Sequence, residues 1–288
     1  MGKELDNAVI ERPKVKDMKK KDLTPWEIVQ VSRHPKRPIL QDYISNITKN
    51  FVELHGDRYF SDDKAMIGGF AEIGGQKVML IGHNKGKKTH ENIERNFGMA
   101  KPDGYRKALR LMKLAQRFNV PIVTFIDTPG AFPGLEAEER GQAEAIAKNL
   151  TEMAAIEVPI VCVVIGEGVS GGALGIGVGD KILMLSNAIY SVISPEGCAS
   201  ILWRDAKYAP DAAEALNLTA KALHKHGVID EIIEEPGEGA HTDVKKISEL
   251  IEKAVLKNIN ALQKLSVDEL LQSRFEKFSA IGEFTVNK

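Results

Sequence analysis

The stretch Pro159–Gly179, PIVCVVIGEGVSGGALGIGVG, decides the fold of this chain. It opens with the apolar and β-branched residues Ile160–Ile165, a pattern that predicts a buried strand. A turn is expected over 166–170, and the small and apolar residues from Gly171 onward predict a short, buried helix. Because Gly costs about 1 kcal/mol relative to Ala inside a helix, a helix that contains several glycines indicates that its backbone approaches another group closely.

The predicted turn from strand to helix also indicates a binding site. The N–H groups of a first helical turn have no partner within the helix, so they can bind an anion or an oxyanion. A similar succession of strand, glycine-containing turn and helix occurs over 122–154. The sequence therefore predicts an α/β fold of repeated β-β-α or β-α units, with the chemistry at the edge where their turns meet.

Local signals place further elements around this centre. Thr24, Pro25 and Glu27 form the N-cap, first-position and capping-box pattern of a helix start, and that helix should end before Pro35. Gly74–Gly75 predicts a hairpin turn between two strands within 68–82. Further helices are predicted over 40–54, 105–115, 211–226 and 244–262, and a turn over 194–197 is expected to lead into a helix through Trp203. Further strands are predicted over 122–126, 181–185, 188–193 and 228–234.

The composition describes an ordinary soluble protein. Hydrophobic residues make up 43% of the 288 residues, charged residues 27%, and the net charge of −1 favours neither nucleic acid nor a membrane surface as a partner. The longest apolar runs are too short to cross a bilayer, no apolar signal segment is expected at the N-terminus, and residues 1–22 are predicted to be a solvated arm. Cys162 and Cys198 are the only cysteines, which argues against a disulfide framework or a cysteine metal site and favours a reducing, cytoplasmic setting.

A basic stretch follows the predicted hairpin over 83–103. Its cations are Lys85, Lys87, Lys88, Arg95 and Lys101. The pair Lys88-Thr89 does not belong to a Walker phosphate loop, because residue 87 is Lys where that motif needs Gly. Two interpretations stay open for this stretch: a mobile, solvated loop, or a surface for an acidic ligand or partner.

Residues 168–172, GVSGG, match the G-x-S-x-G motif of serine hydrolases. A hydrolase would also need an acid and a histidine, and the residues that could supply them occur in no recognisable context: Asp205, Asp211, Asp230, His224, His226 and His241. The competing interpretation makes Ser170 the N-cap of the helix, and the local pattern favours the cap. Catalytic side chains are scarce and backbone amides plentiful, which suits a reaction through an enolate or a tetrahedral oxyanion.

Six longer blocks carry a resemblance to a known family. They are TPWEIVQVSRHPKRP (24–38), FVELHGDRYF (51–60), RNFGMAKPDGYRKALRLM (95–112), FIDTPGAFPGLEAEERGQAEAIA (125–147), GEGVSGGAL (166–174) and YSVISPEGCASILW (190–203). In these blocks, which run in order through most of the chain, the sequence resembles the α subunits of bacterial acetyl-CoA carboxylase carboxyltransferases, members of the crotonase-like superfamily. The lack of a four-cysteine zinc pattern agrees with an α rather than a β subunit.

The resemblance implies the fold, the reaction and the partners. The fold would be a crotonase-like β-β-α spiral with flanking N- and C-terminal helices, divided into an N-terminal arm and helix (1–33) and a carboxyltransferase domain (34–288). The reaction would transfer the carboxyl group of carboxybiotin, held on a biotin carboxyl carrier protein, to the CoA thioester acetyl-CoA and give malonyl-CoA for fatty-acid synthesis. The partners would be a zinc-binding β subunit in an α2β2 assembly and a biotin carboxylase that uses ATP elsewhere in the complex, with no metal in this chain.

The resemblance also implies which residues act. The oxyanion hole falls on Gly171, Gly172 and Ala173, with the amides of Gly172 and Ala173 as donors to the ureido oxygen of biotin. The β subunit would hold most of acetyl-CoA, and the ureido nitrogen would take the proton from its methyl group. Substrate-binding positions border the same cleft, and they are Gly130, Ala131, Gly168, Val169 and Gly197.

Overall fold

The computed structural model describes residues 23–282, which form one eight-stranded mixed sheet with helices around it. The strands run in the spatial order β1-β2-β3-β4-β5-β6-β8, and β7 pairs with the end of β5. Their bounds are β1 Thr48–Glu53, β2 Met66–Ile73, β3 Gln76–His83, β4 Ile122–Thr128, β5 Ile160–Val169, β6 Lys181–Leu185, β7 Ile189–Ser191 and β8 Glu231–Ile233. The first three strands pair antiparallel, and the pairings from β3 onward are parallel.

Twelve α-helices in the described part of the chain surround the sheet. They are α1 Pro25–Ser32, α2 Leu40–Ile47, α3 Thr89–Glu94, α4 Pro102–Arg117, α5 Leu135–Glu139, α6 Gln142–Ala154, α7 Ser170–Leu174, α8 Pro195–Trp203, α9 Ala209–Ala215, α10 Ala220–Lys225, α11 Val244–Leu262 and α12 Val267–Ser279. Within 23–282, every helix is too short or too polar to traverse a lipid bilayer.

The central strands β4 and β5 are buried at every position. Parallel strands covered on both faces have such uninterrupted apolar sequences, which is why the runs Ile122–Ile126 and Ile160–Ile165 predict them correctly. Their residues and those of the helices around them form one continuous hydrophobic core. The carboxyl ends of β4 and β5 therefore leave this core side by side.

Several local predictions are confirmed. Helix α1 begins after Thr24 with a complete capping box to Glu27. Strands β2 and β3 form the predicted hairpin, and its turn residues Gly74 and Gly75 have φ of +53° and +86°, values that Gly adopts without strain. Helix α8 ends at Trp203 as predicted, although it begins at Pro195 within the expected turn over 194–197, and α11 covers the whole predicted range.

The helix predicted over 40–54 is wrong in its second half. Helix α2 stops at Ile47, and residues 48–53 form β1, which pairs antiparallel with β2. Thr48, Phe51 and Val52 have side chains that favour strands. The neighbouring edge of β2 offers hydrogen bonds to this segment, and pairing with it outweighs the apolar spacing that suggested a helix.

The bounds of four other elements also differ from the predictions. The turn expected over 166–170 is shorter, because β5 continues to Val169 and residues 167–169 pair with β7. The helix predicted over 211–226 is two helices, α9 and α10, separated at 216–219 where Thr219 caps the second. Strands β7 and β8 are shorter than predicted.

The predicted boundary at residue 33 stays a prediction, and the predicted arm over 1–22 lies outside the described residues. Helix α1, on the N-terminal side of that boundary, packs on the main body. Its buried Val29 belongs to a cluster with Val169 and Ile189. Helix α1 thus contacts the strand that leads into the glycine-rich turn.

Candidate active site

The turns that follow β4 and β5 are in direct contact. The two strands pair in parallel as far as Thr128 and Gly168, so their following segments leave the sheet side by side. An ideal Cβ on Gly172 would overlap the carbonyl carbon of Gly130 and the amide nitrogen of Ala131. Three of the predicted site residues are therefore brought together, and the contact requires Gly at position 172.

Gly171 differs sharply from its neighbour. A Cβ there would meet only the side chain of Ile146, at 3.8 Å from Cγ2, which is an ordinary van der Waals distance. The backbone of Gly172 is pressed against the other turn, whereas Gly171 has room for a methyl group. The two glycines thus form a matched pair for substitution.

The amides of Gly171, Gly172 and Ala173 lie in the first turn of α7. Gly172 and Ala173 are buried, and Ala173 has no exposed surface. Within 23–282, none of these three amides donates a hydrogen bond to an acceptor outside the helix. The N-terminus of α7 thus presents backbone donors at the contact between the two turns, as an oxyanion site requires.

Ser170 is not the N-cap of α7, so that prediction is wrong. The N-cap residue is Val169, and no side chain caps the helix. Because β5 runs up to Val169, the chain must bend within one residue, and Ser170 adopts φ +61° with an exposed side chain. This left-handed conformation is uncommon outside Gly, Asn and Asp, and it leaves the hydroxyl in solvent.

Three of the six candidate partners for a serine hydrolase form other interactions. Asp230 pairs with Lys181 and Lys277. His241 stacks on His34 with ring centroids 3.8 Å apart, and Asp205 caps the turn at Lys207. Ser170 lies between β5 and α7 with a positive φ, as the serine of a nucleophile elbow does, but Asp230, His241 and Asp205 interact with residues other than Ser170.

Gly168 and Val169 are the last residues of β5. A Cβ on Gly168 would lie 2.8 Å from Cδ2 of Tyr190, and Val169 is 2% exposed in the cluster with Val29. Neither position offers a side-chain surface to a ligand. Their role in substrate binding stays a prediction that would have to operate through the backbone.

Gly197 lies in the first turn of α8, with its amide donating to Oγ of Ser194 at 3.1 Å. The adjacent Glu196 binds Arg33 with Oε1 2.5 Å from Nη1, and the same guanidinium binds Glu167 at 2.7 Å through Nε. Arg33 thus ties the start of α8 to the end of β5. The predicted contact of Gly197 with substrate stays a prediction.

A buried charge cluster supports the two turns, and the sequence analysis missed it. Nζ of Lys85 lies 2.7 Å from Oδ1 of Asp127 and 3.0 Å from Oε2 of Glu167, at the ends of β4 and β5. Burial opposes these charges, but the two carboxylates raise the pKa of Lys85, and Lys85 with Arg33 holds the pKa of Glu167 below its usual range. The signal available in the sequence was a carboxylate after each apolar run.

The basic stretch over 83–103 contains a helix and several polar contacts to other segments. Lys87 binds Asp42, Lys101 binds Glu136, and the Arg95 guanidinium donates to the carbonyl of Lys85. Helix α3 occupies its centre. Both interpretations of this stretch stay predictions, although α3 and these ion pairs hold part of it in place. Lys85 belongs to the charge cluster rather than to a ligand surface.

His83, at the end of β3, is the histidine nearest in sequence to this cluster. It is fully buried, and its Nδ1 accepts the amide of Asp127 at 3.4 Å. Burial lowers the pKa of His83 to about 3. The imidazole is thus neutral at physiological pH and too weak a base for proton abstraction.

In the described part of the chain, no group of three or more His, Cys, Asp or Glu residues could hold a metal ion. Both cysteines are free and buried.

Comparison with known proteins confirms the family resemblance found in the sequence. Residues 3–282 match the model of the acetyl co-enzyme A carboxylase carboxyltransferase-like family. The chain is 60% identical over 268 residues to the acetyl-coenzyme A carboxylase carboxyl transferase subunit alpha of Chlorobium phaeovibrioides, covering 91% of this chain and 80% of the relative. It is 56% identical over 266 residues to the protein of the same name from Nitrosomonas europaea, covering 92% and 83%.

Solved structures confirm the fold. The chain superposes on transcarboxylase 12S with a TM-score of 0.60 at 19% identity, covering 80% of this chain and 44% of that one. It superposes on the beta subunit of P. aeruginosa geranyl-CoA carboxylase with a TM-score of 0.61 at 18% identity, covering 86% and 46%. The predicted crotonase-like spiral with flanking helices is thereby confirmed.

Proposed function

The chain belongs to the acetyl co-enzyme A carboxylase carboxyltransferase-like family and acts as a carboxyltransferase α subunit; we propose that it does so through the backbone amides of Gly172 and Ala173. The reaction moves the carboxyl group of carboxybiotin to acetyl-CoA and gives malonyl-CoA for fatty-acid synthesis. The observation that most supports the proposed site is the contact of Gly172 with the backbone of Gly130 and Ala131. That contact fixes the amides of α7 within a cleft between two turns.

The chemistry needs an oxyanion site more than a side-chain base. Carboxybiotin releases CO2, and the N–C bond electrons leave negative charge on the ureido oxygen, which the amides of Gly172 and Ala173 bind. The ureido nitrogen then takes a proton from the methyl group of acetyl-CoA, and the resulting carbanion attacks CO2. Donors held in place before the reaction stabilise the developing charge without reorganisation. Gly130 and Ala131 border this site.

The reaction requires further proteins. We place a zinc-binding β subunit beside this chain in an α2β2 assembly, where it holds most of acetyl-CoA. A biotin carboxyl carrier protein would deliver carboxybiotin, and a biotin carboxylase would consume ATP to form it. The two free cysteines agree with a cytoplasmic location. No side chain of this chain is assigned to a metal.

The test is malonyl-CoA formation by the chain purified together with a β subunit. Carboxylated carrier and acetyl-CoA are supplied, and a second reaction contains carrier whose biotin is first blocked with avidin. Malonyl-CoA should form only with the unblocked carrier. Equal product in both reactions would contradict a biotin-dependent transfer.

Replacing Ser170 distinguishes this function from a serine hydrolase. Ser170→Ala should retain most carboxyltransferase activity, because the hydroxyl is exposed and contributes no cap. For the same reason, the free energy of unfolding should change by no more than about 0.5 kcal/mol, as at ordinary surface positions. The measurement is kcat of the assembled complex. A fall of roughly 10³-fold with an intact fold, the scale expected for a lost nucleophile, would favour the hydrolase.

A further inference from the structure

Tyr105 contacts the proposed oxyanion turn from inside the protein. It belongs to α4, has no exposed surface, and its hydroxyl donates to the carbonyl oxygen of Gly172 at 3.1 Å. The Gly172 carbonyl belongs to the peptide group whose N–H is the amide of Ala173. A distant helix thus holds one end of the peptide that carries a proposed donor.

Because the peptide bond is planar, this hydrogen bond also determines the orientation of the Ala173 N–H group. In a trans peptide the C=O and N–H groups point in opposite directions and rotate together. A hydrogen bond that fixes the Gly172 carbonyl therefore also fixes the direction of the Ala173 N–H. On another side, the Gly172 Cα abuts the backbone of Gly130 and Ala131, so the peptide is restrained at two places.

Tyr105 is itself held firmly. Nδ2 of Asn149 donates to the Tyr105 carbonyl at 3.0 Å and to the Gly175 carbonyl at 2.9 Å, which links α4 to the end of α7. The Tyr105 ring lies against Gly175, where a Cβ would come within 2.7 Å of Cε1. Burial raises the pKa of Tyr105, so its hydroxyl keeps the proton that it donates.

We propose that Tyr105 is a positioning residue for carboxyl transfer, whose hydroxyl aims the Ala173 amide at the oxyanion through the Gly172 carbonyl. This inference rests on the proposed function of these amides. Tyr105 has no exposed surface and would act only through the peptide that it holds. Its loss should therefore impair the stabilisation of the transition state and spare the binding of acetyl-CoA and carrier.

The test compares Tyr105→Phe with wild type in the complex with the β subunit. Phe keeps the ring that packs on Gly175 and removes only the hydroxyl. We expect kcat to fall by about 10-fold, because small misplacements of a catalytic group are costly, while KM for acetyl-CoA and carrier stays within about 2-fold. An unchanged kcat, or a rise in KM that accounts for the loss, would overturn the proposal.

Tyr43→Phe is the matched control. Tyr43 is also fully buried, and its hydroxyl has no hydrogen-bond partner within the described residues. Removing that hydroxyl makes the same chemical change without breaking a hydrogen bond to the turn, so kcat should stay at the wild-type value. If both variants lose kcat equally, the effect belongs to the core in general and the proposal fails.

Deuterium uptake of the isolated chain tests the geometry without the reaction. Peptides that cover 170–176 should exchange about 10-fold faster in Tyr105→Phe than in wild type or Tyr43→Phe, because the turn opens more often. Equal uptake in all three chains would overturn the inference. If the wild-type complex transfers no carboxyl group, the proposed function fails, and the uptake still decides whether Tyr105 orders the turn.

Discussion

Gly172→Ala should lower kcat for carboxyl transfer by roughly 10²–10³-fold, the loss seen when one oxyanion donor is removed from a hydrolase. The new Cβ would overlap the backbone of Gly130 and Ala131 and lie 2.8 Å from the Gly130 carbonyl oxygen. Because backbone atoms cannot rotate away as a flexible side chain can, the two turns must separate. That separation displaces the amides of Gly172 and Ala173 from the charge that they are proposed to bind.

Gly171→Ala is the control for that variant. It adds the same methyl group one residue earlier, where the nearest atom would be 3.8 Å away in the side chain of Ile146. Its kcat should stay within about 3-fold of wild type, since contacts at this distance leave the backbone in place. Thermal unfolding and co-purification with the β subunit identify any loss of fold or assembly. A folded, assembled Gly172→Ala enzyme with near-normal kcat would show that the donors lie elsewhere, and Ala131 would be examined next.

Ala173→Pro would remove the second proposed donor directly, but it tests the site less cleanly than the two glycine variants do. Ala173 is fully buried and is the fourth residue of α7. A proline ring there needs space in the core and disfavours the helical conformation of Gly172. Loss of activity would then follow from disruption of the helix as well as from loss of the N–H donor.

Arg274→Ala should lower the free energy of unfolding by about 3–5 kcal/mol, the usual cost of removing one partner from a buried ion pair. Arg274, in α12, is 2% exposed, with Nε and Nη2 at 2.8 and 2.9 Å from the carboxylate of Asp180. Its Nη1 donates to the carbonyls of Met153 and Ile156 at 2.8 and 2.7 Å, at the end of α6. The substitution leaves Asp180 charged, buried and without that partner.

Urea unfolding at neutral pH measures this loss. A double variant, Arg274→Ala with Asp180→Asn, is the control, because it also removes the stranded charge. The double variant should be more stable than Arg274→Ala alone, since a neutral amide is less costly to bury than an unpaired carboxylate. A loss below about 1 kcal/mol in the single variant would mean that α12 contributes little to the fold.

The parts of the fold that the sequence predicts correctly are those governed by local chemistry. Thr24 and Glu27 satisfy each other's backbone within one helical turn, so the start of α1 follows from four residues. Gly74 and Gly75 specify their hairpin because other residues rarely adopt its positive φ. The uninterrupted apolar runs of β4 and β5 likewise require burial on both faces of the sheet.

The sequence-based predictions that were wrong failed because of contacts between distant parts of the chain. Residues 48–53 have apolar spacing compatible with a helix and become a strand because β2 is available to pair with them. Ser170 has the residue type of an N-cap, but the pairing of β5 with β7 extends the strand to Val169 and forces Ser170 into another conformation. Lys85 forms an ion pair with Glu167, which lies 82 residues further along the chain, and no spacing in the sequence predicts that contact.

Of the candidate site, the sequence could predict the turns but not their contact. Gly171 and Gly172 cannot be told apart from the sequence. They differ in the structure because the backbone of Gly130 and Ala131 contacts Gly172 and leaves room at Gly171. The roles of Tyr105 and Asn149 depend on how α4 and α6 pack on α7, which pattern alone cannot supply.

This chain is proposed to bind the ureido group of biotin in a two-subunit carboxyltransferase. The direct measurement is transfer of a labelled carboxyl group from the carboxylated carrier to acetyl-CoA, with the purified chain alone and with added β subunit. We expect labelled malonyl-CoA only in the presence of both subunits, because the oxyanion donors are proposed to lie in this chain and the CoA site in the β subunit. Labelled malonyl-CoA formed by the chain alone would contradict the two-subunit account.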